Sequence, residues 1–244
     1  MHRAFRGIWL GRRPYEPVLA LQQRLHESRA GGAVGDTVLF LEHTPVITLG
    51  RRADPSHVLI GAEGLRSRGW DFVQTDRGGD VTLHAPGQLV CYPIVDLAPD
   101  RCDVRRYVRG LAETMRRVAA RHGIAAGEVP GLVGLWVDRG APARFPEGGE
   151  GLDLVKIGAI GVRISRWVTM HGFALNLSLA SDVYQVIVPC GITGRGVSSI
   201  LELTGRDPGT KDEAAAAFTA FGEVFEGRAV DLEDWSDKEI EDLV

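Results

Sequence analysis

The chain has 244 residues, 44% of them hydrophobic and 25% charged, with a formal net charge of −4. That length suits one large domain with a sizeable core, the acidic balance argues against generic nucleic-acid binding, and no run of roughly eighteen apolar residues is present to cross a membrane. The opening MHRAFRGIWLG has no signal-peptide core, and the cysteines Cys91, Cys102 and Cys190 are an odd count without zinc-type spacing, so a reduced, cytoplasmic protein is expected.

The opening FRGIWLG reads as a strand, and Pro17–Arg29 as a helix with Val18, Leu21 and Leu25 on one face and Gly31-Gly32 beyond its end. Residues 36–50 predict two strands joined near Thr44-Pro45, and a short helix over 62–67 leads to a strand at Phe72-Val73. The segment Arg77–Leu97, RGGDVTLHAPGQLVCYPIVDL, alternates like a strand but is broken by paired glycines, a histidine and a Pro-Gly turn. It sets polar groups and bare backbone beside an apolar wall, the form of a site for a long apolar substrate with one reactive polar end. Val104–Arg121 is the clearest helix, with Tyr107, Val108, Leu111, Met115 and Val118 at helical spacing and arginines on the other face. Val133–Asp138 and Leu154–Ser165 predict a β-ribbon around a polar, Gly/Pro-rich stretch, and more strands follow through Val188. Asp212–Phe225 is a second amphipathic helix. From Asp231 onward seven acids face Lys238 alone, which suggests a solvated helix or a disordered tail. Strands cluster without regular β-α-β alternation, so the expectation is an α+β fold with a mixed or antiparallel sheet, in one domain over 1–228 with an acidic tail over 229–244.

Lys156, Lys211 and Lys238 are the only lysines among 28 basic residues. Where arginine is the default cation, a lysine inside LVKIGAIGVRI suggests a need for an amine whose pKa can move. It either projects into a pocket or points to solvent; Gly158 and Gly161 after it mark a place where backbone or ligand comes close. Cys190, in IVPCGITGRGVSSI, follows a hydrophobic strand and a proline and precedes a glycine-rich turn whose N–H groups can stabilise an anion. Free cysteine is also commonly a small buried hydrophobe. Cys91 in LVCYPI fits that description, and Cys102 in a charged turn is incidental. An ammonium beside Cys190 favours its thiolate, and the same amine, once deprotonated, serves as a general base. His171 and Asn176, the sole asparagine, lie in TMHGFALNLS as support for a site or as satisfied structural groups. Arg77-Gly78-Gly79 can hold a carbonyl, since glycines let N–H groups approach, or form a plain turn, which needs only one of those glycines. HExxH and CxxC are missing, so no metal is expected. The glycine spacings at 191–196 and 205–211 miss the nucleotide fingerprints, and no cofactor is expected either.

Taken in order, Arg77–Leu97, Lys156–Gly161, His171–Asn176 and Pro189-Cys190-Gly191 resemble the lipoyl(octanoyl) transferase family. The resemblance implies a fold related to biotin ligases and lipoate-protein ligases, of the class II synthetase type. It implies transfer of octanoyl from octanoyl-acyl carrier protein to a lysine of a lipoyl domain, in 2-oxoacid dehydrogenase E2 subunits or the glycine cleavage H protein. By position, Cys190 is then the acyl-thioester nucleophile and Lys156 its activator. Arg77, Gly78, Gly79, Asp80, Val81, Thr82, Leu83 and His84, with Ala159, Ile160, Gly161, Gly172, Phe173 and Ala174, line the acyl pocket. A thioester donor needs no ATP, and covalent capture divides one difficult transfer into two. The stretch 139–152 is longer than the tight hairpin of many relatives. Rival readings are an ATP-dependent lipoate-protein ligase, a non-catalytic domain binding acyl or lipoyl carriers, and a cysteine hydrolase using His84 or His171. Arg51-Arg52 and Arg105-Arg106-Arg109 are candidate patches for acidic carriers, or ordinary solvated faces. Neither nucleic acid nor membrane is an expected partner.

Overall fold

The computed structural model describes residues 3–145, 153–188 and 195–243. β1 (Arg3–Arg13) buries Phe5 and Trp9 on one face and Ile8 and Leu10 on the other, which places it inside a sheet. α1 (Tyr15–Ala30) turns Val18, Leu21, Gln22 and Leu25 inward. β2 (Thr37–His43) and β3 (Val46–Leu49) are separated at Thr44-Pro45, where the chain leaves the main sheet. α2 (Gly61–Ser67), β4 (Asp71–Gln74) and β5 (Val81–His84) follow, and β4-β3-β5 form a small sheet. β6 (Gln88–Ile94) returns to the main sheet. α3 (Val104–Arg121) begins at Asp103, whose carboxylate accepts from the Arg106 N–H. β7 (Gly127–Val129), β8 (Leu132–Asp138), β9 (Leu154–Ser165) and β10 (Val168–Asn176) form an antiparallel meander. β11 (Gly196–Val197), α4 (Ile200–Thr204), α5 (Thr210–Val224) and β12 (Gly227–Asp234) complete the chain.

Among the described residues the main sheet runs β12-β1-β2-β6-β10-β9-β8-β7, with β11 added to β9. β1 pairs in parallel with β2 and β12, whereas β2 through β7 pair antiparallel, so the sheet is mixed. α3 and α5 cover one face, packing Leu111, Met115, Phe218 and Phe221 on Phe40, Cys91, Phe173 and Leu175. α1 covers the other with Ile8, Leu39, Val90 and Met170. A third cluster joins the small sheet's Ile47, Leu49, Val81 and Leu83 to Tyr184, Val186 and Ile187. No described helix is long and apolar enough to cross a membrane.

The secondary structure departs from the sequence reading at residues 181–186 and from 229 onward. Residues 181–186, expected to be strand, form a 3₁₀ helix. The acidic stretch from 229, expected as a solvated helix or disordered, begins as strand: β12 runs along β1, and beyond it Ile240 and Leu243 are buried with α1. Its acids are accommodated because the strand is an edge. Glu233 meets Arg6 at 2.7 Å and Asp234 meets Lys211 at 2.6 Å.

Candidate active site

A cavity of about 540 Å³ lies between β9, β10, the small sheet and the start of α1. Arg77, Gly78, Gly79, Asp80, Thr82 and His84 line it from one side, and Ala159, Ile160, Gly161, His171, Gly172, Phe173 and Ala174 from the other. Val81 and Leu83 do not line it. Strand alternation turns both into the core of the small sheet, where neither is exposed. Tyr15, Arg52, Tyr92, Val108, Gly131, Val133 and Val162 complete the lining.

The 77–80 loop is held mainly by its own arginine. The Arg77 guanidinium donates to Thr48 O at 2.7 Å, Asp80 O at 2.8 Å, Thr48 Oγ1 at 2.9 Å and Gly78 O at 3.1 Å. Gly78 N–H donates to Val162 O at 2.9 Å, tying the loop to β9. That approach requires Gly161, where a Cβ would stand 2.9 Å from Gly78 O. At the loop's outer side, His57 Nδ1–H donates to Asp80 Oδ2 at 2.5 Å.

Three histidines surround the floor. His43 Nδ1–H donates to Arg13 O at 2.9 Å and its Nε2 accepts from Tyr92 Oη at 2.9 Å. His84 Nδ1–H donates to Gln88 Oε1 at 2.6 Å and stacks 6.2 Å from Tyr15. Burial lowers the His43 pKa to about 4; burial, followed by the neighbouring His43, lowers that of His84 to about 3. Both rings are therefore neutral at pH 7. His171 takes an unusual backbone φ of 56° on β10 and donates from Nε2 to Asp76 Oδ1 at 3.1 Å. Burial lowers its pKa although Asp76 opposes the shift. Asp76 also pairs with Arg163 at 3.0 Å.

From His84 a buried polar chain leads away from the cavity. Gln88 Nε2 donates to Asn176 Oδ1 at 2.9 Å and Tyr184 Oη at 3.0 Å, and Asn176 Nδ2 donates to Ser198 O at 3.0 Å. Ser198 N–H donates in turn to Lys156 O at 3.0 Å. Asn176 thus lies behind the cavity wall. Lys156 is buried on β9, its ammonium 5.1 Å from the centre of the Trp136 ring. It is three residues from the cavity-lining Ala159 and is not itself part of the lining. Cys190 lies outside the described residues. Of its flanks, Val188 N–H donates to His57 O at 2.8 Å, and Val197 pairs with Lys156.

Tyr15 and Tyr92 escaped the sequence reading. Each is buried with a hydroxyl to satisfy, and a tyrosine on an otherwise apolar strand face was the signal available at Tyr92.

Residues 14–222 match a family model described as the lipoyl protein ligase A/B catalytic domain. The chain is 45% identical over 223 residues to an octanoyltransferase from Myxococcus xanthus, covering 91% of this chain and 60% of that one. It is also 45% identical over 218 residues to an octanoyltransferase from Chloroflexus aurantiacus, covering 89% of this chain and 92% of the relative. The fold is similar to that of a bipartite lipoate protein ligase from Thermoplasma acidophilum, with TM-score 0.71 and 15% identity over 99% of this chain and 91% of the other. A biotin protein ligase from Aquifex aeolicus is more distant, with TM-score 0.51 and 14% identity over 92% and 73% of the two chains.

Proposed function

The chain belongs to the lipoyl protein ligase A/B catalytic family, among relatives named octanoyltransferase, and we propose that it moves octanoyl from acyl carrier protein to the lysine of a lipoyl domain through a thioester on Cys190. In the first step the Cys190 thiolate attacks the octanoyl carbonyl carbon, the bond to the pantetheine sulfur breaks, and that sulfur leaves and takes up a proton. In the second the acceptor amine attacks the same carbon, the bond to Cys190 breaks and the amine loses a proton. Lys156 stabilises the thiolate as an ammonium and accepts the amine's proton when neutral. Splitting the transfer lets two large partners use one site in turn.

The observation that carries this reading is the cavity itself. Apolar Ile160, Val162, Phe173 and Ala174 meet the polar 77–80 loop in one space, and β9 supplies both the wall and the buried Lys156. His84, neutral at pH 7, adds no charge to the lining, and the Arg77 guanidinium there is turned onto the backbone of its own loop and of β3. Arg105 and Arg109, exposed on α3 beside the lining Val108, suit an acidic carrier domain near the mouth. The acceptors are lipoyl domains of 2-oxoacid dehydrogenase E2 subunits and the glycine cleavage H protein, and the setting is the cytoplasm.

The test is incubation with octanoyl-acyl carrier protein without ATP. Intact mass should rise by one octanoyl group mapping to Cys190, and a lipoyl domain should discharge it. Cys190→Ser should abolish the adduct. Transfer that requires ATP points instead to a ligase, and an unmodified protein to a carrier-binding domain.

A further inference from the structure

Three features converge on the Lys156 side chain. Trp136 lies directly across from it on β8, with the ring centre 5.1 Å from the ammonium. The ring's orientation is fixed, because Trp136 Nε1–H donates to Leu132 O at 3.0 Å and the residue is 1% exposed. Beside it, Gly134 adopts φ +131°, and a Cβ there would stand 2.4 Å from Gly158 O and 2.8 Å from Lys156 Cε. The strand register also shifts between Leu135 and Trp136. The bare backbone at 134 thus leaves room for the lysine stem, and the indole supplies a face for its head.

We propose that Trp136 is a positioning residue that holds Lys156 in its ammonium form. An aromatic face attracts a cation and gives a neutral amine no comparable gain, so the contact favours the charged state. The ammonium is the form that supports a thiolate, and its proton leaves only when the chemistry draws it away. Among the described residues, the strands hydrogen-bonded to β9 are β8, β10 and β11, whose titratable groups are Asp138, with its carboxylate accepting from Gly140 N–H, and His171, with its ring facing Asp76. α3 also packs on β9 and β8, and its charged groups are Arg105, Arg106, Arg109, Glu113, Arg116, Arg117 and Arg121. β9 itself adds Arg163, paired with the same Asp76.

This inference rests on the role proposed above for Lys156, and its test is separable from that role. With only three lysines in the chain, ¹³C-lysine labelling gives a spectrum in which Lys156 is assigned by its loss in Lys156→Arg. Its titration midpoint is then followed in the intact protein. Trp136→Met, which fills the space without a ring, should lower the midpoint by about 0.5–1 pH unit, the equivalent of a lost cation–π contact. Trp136→Phe, with a weaker π face, should lower it by less, and it carries the test if the methionine variant does not fold. A void admitting water would favour the charged amine and raise the midpoint, so loosened packing moves it the other way. An unchanged or raised midpoint overturns the proposal. Failure of the Lys156 role shows elsewhere, as undiminished transfer by Lys156→Arg.

Discussion

Neutral buried histidines make stability fall steeply in mild acid. His43 and His84 have folded pKa values of about 4 and about 3, against roughly 6.5 in an unfolded chain. Between those limits the unfolded state binds more protons, so stability rises with pH through the window and is complete above about 6.5. Descending from pH 6.5, each ring removes about 1.4 kcal/mol per unit, and the pair removes roughly 5 kcal/mol by pH 4.5. That is comparable to the whole stability of many domains, roughly 5–15 kcal/mol. Burial acts in the same direction on His171. The ion-paired Glu233, lowered to about 2 by Arg6, loses its contribution at lower pH, so measurements kept above about pH 5 keep it out of the decline. Urea unfolding followed by circular dichroism at pH 7.5, 6.5, 5.5 and 5.0 should show the decline, and His84→Gln should make it shallower by about 1.4 kcal/mol per unit. A stability constant from pH 6.5 to 5, or an identical slope in the variant, would refute the reasoning.

Lys156→Arg should cut octanoyl transfer about 100-fold or more with the fold intact, because a guanidinium does not exchange protons near neutrality; a near-native rate in a discontinuous transfer assay contradicts this. Gly161→Ala should destabilise by roughly 1–3 kcal/mol and raise KM for the octanoyl donor, since the methyl would meet Gly78 O at 2.9 Å and Arg77 Cδ at 3.3 Å. Unchanged melting together with unchanged KM would show that the loop yields freely. Donor binding should weaken with rising salt and with Arg105→Glu or Arg109→Glu, and titration calorimetry showing no dependence on either removes α3 from the docking surface.

Much of the architecture was legible because it is locally encoded. α3 begins and ends at Val104 and Arg121 as its spacing dictates, and β9 covers the predicted Leu154–Ser165. The cavity wall was harder to read. Runs such as Val81–His84 carry one face into the small sheet's core and the other toward the cavity, and sequence alone did not say which. Tyr15 and Tyr92 reach the cavity from separate elements, a meeting that no local pattern announces. β12 was obscured by its acidity, because an edge strand with Val230 44% exposed has little need of alternating apolar residues. Gly78, Gly79, Gly161 and Gly172 line the cavity, and Gly78 and Gly161 mark where two backbones approach.

Arg77 spends several of its donors on the chain that carries it. A receptacle braced in this way is rigid before any guest arrives, so little ordering entropy is lost on entry. Its cost is brittleness. Shortening this one side chain should collapse the rim around Thr48 and Asp80, and the damage would spread to every guest alike, whatever the length of its tail.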